Sequence, residues 1–201
     1  MRRHGLSAAF LMAGLFVAAA PPRDDPAGEG KWVSLFDGKT LGGWTTADGT
    51  EGEWKVEDGV IKGSGKVSHL FSPRGDYKNF KYRAEVKIND KGNSGMYFRT
   101  EKGPGFPHGY EAQVNSTHRD PVKTGSLYNH VKVLEMLVPP DTFFTQEVEA
   151  VGDHIVIKVN GKTTVDYTDP KGTYKQGHFA FQQHDPGSKV EIRKIEVMEL
   201  P

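Results

Sequence analysis

Along most of this chain, apolar and polar residues alternate with a period of two. In "FKYRAEVKI", Tyr82, Ala84, Val86 and Ile88 fall on one side, and Arg83, Glu85 and Lys87 on the other. That is the signature of a half-buried strand, because successive side chains in a strand point to opposite faces. "SGMYFRT", "GYEAQVN", "FFTQEVEAV", "GHFAFQQH" and "KVEIRKIEVMEL" repeat the pattern. Two pairs of runs are joined by turn residues: "WKVEDGVIKG" around Asp58-Gly59, and "HIVIKVNGKTTVDY" around Asn160-Gly161. Asp-Gly and Asn-Gly supply the positive φ that tight hairpins require. Roughly ten to twelve short strands with no helical crossover predict an all-β fold, an antiparallel sandwich of one domain.

The first thirty residues break the pattern. "MRRHG" is basic, "LSAAFLMAGLFVAAA" is apolar, and Ala18 to Ala20 precede a Pro pair. This is the grammar of a secretory signal, with cleavage expected near Ala20. "PPRDDPAGEG", residues 21–30, has little to bury and reads as a flexible leader. The folded domain is expected over 31–201, in a protein exported to the periplasm or secreted, with no membrane partner once the signal is removed.

Composition narrows the function classes. Lys plus Arg and Asp plus Glu both total 26 in 201 residues. No global field draws the chain to nucleic acid. There are no cysteines, which excludes disulfides and thiolate metal sites.

Alternation also selects residues for chemistry. Met96 and Phe98 share one face of their strand, opposite Tyr97 and Arg99; Phe179 and Phe181 oppose Ala180, Gln182 and His184. Tyr110, Ala112 and Val114 oppose Glu111 and Gln113, which stand roughly 6–7 Å apart. The polar set is therefore Tyr97, Arg99, Glu111, Gln113, Gln182 and His184, on one concave face. Planar hydrogen-bonding groups, an aromatic ring and one carboxylate suit a sugar cleft better than a solvated sheet. Arg99 is expected beside Glu111, holding it ionised. Seven histidines remain after the signal: His69, His108, His118, His130, His154, His178 and His184. None has metal-ligand spacing, so no cofactor is indicated, and a divalent ion would need distant loops to converge. "STHRDP" reads as a loop with an Arg119–Asp120 ion pair.

The segments "SLFDGKTLGGW", "WKVEDGVIKG", "NSGMYFR", "GYEAQV", "TGSLY", "VNG" and "GHFAFQQH" occur in that order. In this the chain resembles the 3-keto-disaccharide hydrolase domain family, from Trp32 to Leu200. It departs from the family in the residues before "FFTQEVEAVG", where a Trp-Asn pair is common, and in "NHVKVLEMLVPPD". The resemblance implies a concanavalin A-like jelly roll acting on the glycosidic bond of 3-keto-disaccharides, by hydrolysis or by elimination and hydration. It also brings His130, after "GSLYN", towards the cleft. Glycosidases ordinarily use two carboxylates, but here the position two beyond Glu111 is Gln113. A ketone at carbon 3 acidifies the carbon 2 proton, so one base suffices. Glu111 as base, His184 as acid, and Arg99 with Gln113 or Gln182 on the oxyanion fit that chemistry. A lectin-like module that binds sugar without turnover is the alternative.

Overall fold

The structure, a computed structural model, describes residues 30–47 and 49–201. The signal and almost all of the leader lie outside the described residues. Thirteen strands follow one another, with no helix among the described residues. They are β1 (Val33–Ser34), β2 (Thr45–Thr46), β3 (Gly52–Glu57), β4 (Val60–Gly65), β5 (Ser68–Phe71), β6 (Phe80–Ile88) and β7 (Ser94–Thr100). After these come β8 (Tyr110–Val114), β9 (Phe144–Val151), β10 (His154–Val159), β11 (Lys162–Thr168), β12 (His178–Gln183) and β13 (Val190–Glu199).

They form two antiparallel sheets packed as a jelly-roll sandwich. The larger runs β11-β10-β9-β6-β13-β4-β3, with β1 added beside β13; the smaller runs β2-β5-β12-β7-β8. Both expected hairpins form: Asp58 and Gly59 take φ of 51° and 76°, Asn160 and Gly161 of 49° and 80°.

The core lies between the sheets. β6 sends Tyr82, Ala84, Val86 and Ile88 inward from the larger sheet, while Met96, Phe98, Tyr110, Phe179 and Phe181 face them from the smaller. Phe179 is the hub. Its ring stacks on Tyr82 at 3.9 Å and on Tyr77 at 4.3 Å, and meets Phe80 edge-on at 4.8 Å. With one face of the smaller sheet committed to this core, its other face is left to carry polar groups. That outer face carries the site.

Candidate functional site

Strand register builds the floor. On the outer face Tyr97 pairs with Glu111 and with Ala180, and Ala180 with Phe71. One step along, Gln113 pairs with Gly95 and Gln182 with His69. The Phe181–Met96 pairing sets Gln182 beside Gly95. Two parallel rows of outward side chains therefore cross four strands. A cleft of about 330 Å³ opens above them, lined by Asn93, Tyr97, Glu111, Gln113, Gln182 and His184, and walled by Phe106, Pro107, Asp120, Tyr128 and Asn129.

Glu111 occupies the centre. Its side chain folds over β7, and a Cβ on Gly95 would lie 2.2 Å from Oε1, so only glycine leaves room for the carboxylate. The Tyr97 hydroxyl donates to Oε2 at 2.8 Å, and Gln182 Nε2 donates to that same hydroxyl at 3.1 Å. The Gln113 amide, oriented so that both its ends are satisfied, donates to Glu111 Oε1 at 3.1 Å and to Ser94 O at 2.9 Å. Burial pushes the Glu111 carboxyl up to about 8; the Tyr97 hydrogen bond opposes the rise and the Asp120 charge adds to it. Tyr97 is itself pushed well above its usual range, by burial and then by Glu111.

Arg99 is not in the cleft, which corrects the expectation from alternation. Between β12 and β7 the register slips: Ala180 pairs with Tyr97 but His178 with Thr100, so Phe98 and Arg99 share the space opposite Phe179. Arg99 takes φ of 48° in this bulge, and a bulge re-aims the side chains beyond it. Its guanidinium turns to backbone carbonyls, donating to Lys78 O at 2.6 and 2.9 Å, Gly152 O at 2.7 Å and Tyr174 O at 3.2 Å. The expected Arg99–Glu111 pair does not exist. The carboxyl is held high by burial rather than low by a cation.

His130 is a second correction. Its ring packs at 5.6 Å on Tyr110 and 5.4 Å on Tyr167. Tyr110 belongs to the core face of β8, so His130 turns away from the cleft while its neighbours Tyr128 and Asn129 line it. Asn129, at φ of 64°, makes that reversal.

His184 lines the cleft just beyond β12. Its Nδ1 lies 2.8 Å from Asp185 Oδ2. Burial alone would raise Asp185, but hydrogen bonds from His184, Gly187 and Ser188 hold it below its usual range. An ionised carboxylate only accepts, so the proton sits on Nδ1 and Nε2 is free to exchange one with a ligand. His118 joins from the 115–121 loop, its ring 5.5 Å from that of His184. His118, His184 and Asp185 place ligand atoms within 4.8 Å of one another, and a divalent ion bound here would be held by these three. As the groups stand, the Asp120 backbone N–H donates to His118 Nδ1 at 3.2 Å. The ring proton is then on Nε2, the nitrogen nearest Asp185, so a metal would first have to displace it.

Two residues at this face escaped the sequence. Asp120, instead of pairing with Arg119, accepts from Val122 N at 2.8 Å and from the Tyr128 hydroxyl at 3.2 Å. It thus brings a second carboxylate to the cleft from a loop without periodicity. His69, on the outer face of β5, is buried with no partner for Nε2, and Gln182 Oε1 and Asn93 Oδ1 are likewise unpaired. An unpaired buried polar group costs about 1–3 kcal/mol. On this face, a polar ligand could supply the missing partners.

A jelly-roll sandwich with a polar cleft on one sheet is an architecture shared by lectins and glycoside-cleaving proteins, and comparison with known proteins narrows it. The sequence profile of the 3-keto-α-glucoside-1,2-lyase-like domain matches residues 31–198. The chain belongs to that family. A 3-keto-disaccharide hydrolase of Bacteroides thetaiotaomicron is 35% identical over 81 residues, a match covering 35% of this chain and 28% of that protein. Among solved structures, a candidate glycosyl hydrolase of Parabacteroides distasonis superposes with a TM-score of 0.73 at 24% identity, over 85% of this chain and 94% of that one. A carbohydrate-binding module of Bacillus subtilis follows at 0.59 and 17%, over 78% and 96%. These two likenesses are of fold.

Proposed function

We propose that the domain is a carbohydrate-active enzyme that cleaves the glycosidic bond of 3-keto-disaccharides or related 3-keto-glycosides, with Glu111 as the base. The observation that carries this is the buried Glu111 carboxyl, held over Gly95 by Tyr97 and Gln113 and pushed up to about 8. A base with a pKa near the working pH is suited to taking a carbon-bound proton. The family to which the chain belongs supports the substrate class.

Glu111 removes the proton at carbon 2, and the electrons pass into an enolate on the carbon 3 ketone. The enolate re-forms the ketone as the bond from carbon 1 to the glycosidic oxygen breaks. His184, protonated on Nε2 and oriented by Asp185, gives that oxygen its proton. The products are an unsaturated keto-sugar and the leaving alcohol, and water added across the new double bond makes the net reaction a hydrolysis. The cleft wall has no Lys or Arg among the described residues. The developing oxyanion therefore falls to uncharged donors, of which the Asn93 amide is the candidate in reach of the floor.

A positioned base typically contributes about 10²–10⁴-fold in rate. Glu111→Gln should therefore lose turnover of a 3-keto-disaccharide by that order, with binding little changed. Retained turnover would move the base elsewhere. Binding without turnover by the unaltered protein would give the lectin-like reading instead.

Asp120 favours a second reading, two-carboxylate hydrolysis with Glu111 as the acid. It needs no ketone, so cleavage of the unoxidised disaccharide at a comparable rate would select it. We also propose export, from the basic and apolar start of the chain; the mass of the mature protein tests it, with cleavage near Ala20 expected.

A further inference from the structure

The proposed chemistry makes no use of His69, yet its surroundings are unusual. The ring is 1% exposed and Nε2 has no hydrogen-bond partner. Gln182, its cross-strand neighbour, is 2% exposed, and its Oε1 is also unpartnered. Buried polar atoms are normally paired, and here two lie on adjacent strands without bonding each other. The imidazole is neutral: burial, and then the nearby His184, push it down to about 4. Over it lies Phe106, a large apolar ring that is 59% exposed. Its centroid is 6.2 Å from that of His69 and 6.0 Å from that of His184. Phe106 follows Gly103-Pro104-Gly105, where the space around both glycines is open.

We propose that His69, Gln182 and Phe106 form a second sugar subsite, which takes the leaving-group sugar of a disaccharide whose oxidised ring lies over Glu111. Phe106 moves off His69 and closes on the face of the sugar. Gln182 Oε1 accepts from one hydroxyl and His69 Nε2 bonds another. The identity of the first ring rests on the function proposed above.

Chemistry and size both select a sugar. A neutral donor-acceptor pair beneath an aromatic face matches a hydroxylated ring with an apolar face. A phosphate or carboxylate would find no Lys or Arg in the cleft lining among the described residues, and an aryl group would stack on Phe106 but leave both polar atoms unpaired. Strands lie about 4.8 Å apart, so β5 is about 10 Å from β7, over which the Glu111 carboxylate sits. That is room for one further ring.

The test compares a 3-keto-disaccharide with methyl 3-keto-glucoside, whose leaving group is too small to reach His69. In His69→Phe, the preference for the disaccharide should fall about tenfold, through KM. An equal change on both substrates overturns the subsite. Imidazole nitrogen NMR of the Glu111→Gln protein supplies a second measurement, titrated with the keto and then the unoxidised disaccharide. Movement of the His69 Nε2 signal with either sugar supports the subsite, even if neither keto-glycoside is ever turned over, a result that would defeat the proposed reaction alone. A His69 signal unmoved by both overturns it.

Discussion

Glu111 owes its position to a missing atom. Gly95 sits beneath the carboxylate, and in Gly95→Ala the new Cβ would meet Oε1 at 2.2 Å and Cγ and Cδ at 2.8 Å. The obstructing group is the end of a flexible side chain, so the protein should fold with little change in stability while the base is displaced. Misplacing a reacting group by about 1 Å can cost 10²-fold. Turnover of a 3-keto-disaccharide should fall by about that factor with thermal unfolding almost unmoved; a large drop in unfolding temperature would show that Gly95 serves packing instead. The direction of the pH dependence separates the two roles of Glu111. As a base it acts only when ionised, so its ionisation should make the acidic limb of kcat/KM climb as pH rises towards about 8, while the need for a protonated acid turns the profile down on the alkaline side. As an acid it acts only when protonated, and kcat/KM would fall over the same range. A profile flat from pH 6 to 9 excludes both.

At the scale of elements, Arg99 marks where alternation stops being a guide. Its bulge places a long cation against three backbone carbonyls, from the 78, 152 and 174 segments. Hydrogen bonds to a charged group contribute about 1.5–3 kcal/mol. Arg99→Met should cost about 3 kcal/mol or more in urea unfolding, with kcat/KM per folded molecule within a few-fold of the original. A specific loss of activity at full stability would return Arg99 to the site. The strands and the floor of the cleft were legible because period-two patterning survives in any strand with one buried face: Tyr97, Glu111, Gln113 and Gln182 were found that way. His184 lies just past its strand and kept the same parity. Arg99 was misread because one inserted residue inverts every side chain beyond it, and nothing in "MYFRT" announces the insertion. His130 was misread because the left-handed Asn129 reverses the chain. Asp120 and Phe106 lie on loops whose direction no periodicity encodes. In the sequence His69 stood only as one of seven histidines without metal-ligand spacing; its strand, and its solitude, became visible only when its neighbours were in place.

For the molecule as a whole, the site is held at a cost that should show in its stability. Glu111 has an ordinary value of 4.5 and a folded value of about 8. Between those limits the unfolded chain has released the proton that the folded chain keeps, so stability falls as pH rises through the window. A shift of this size corresponds to ~3–5 kcal/mol. His69 acts in the opposite sense: lowered from 6.5 to about 4, it stays neutral in the fold while the unfolded chain takes a proton. Its effect is a loss of stability as pH drops from 6.5 towards 4. The two slopes oppose one another below about pH 6.5, and above it only the Glu111 slope remains. Glu111→Gln removes that slope and leaves the His69 slope intact, so the difference between the two proteins isolates the carboxylate. Unfolding temperatures of the pair should lie close together near pH 4.5. They should then diverge in favour of the variant by about 6–20 °C at pH 8. Parallel curves would mean that Glu111 titrates near its ordinary value, and would remove the electrostatic basis for assigning it the role of base.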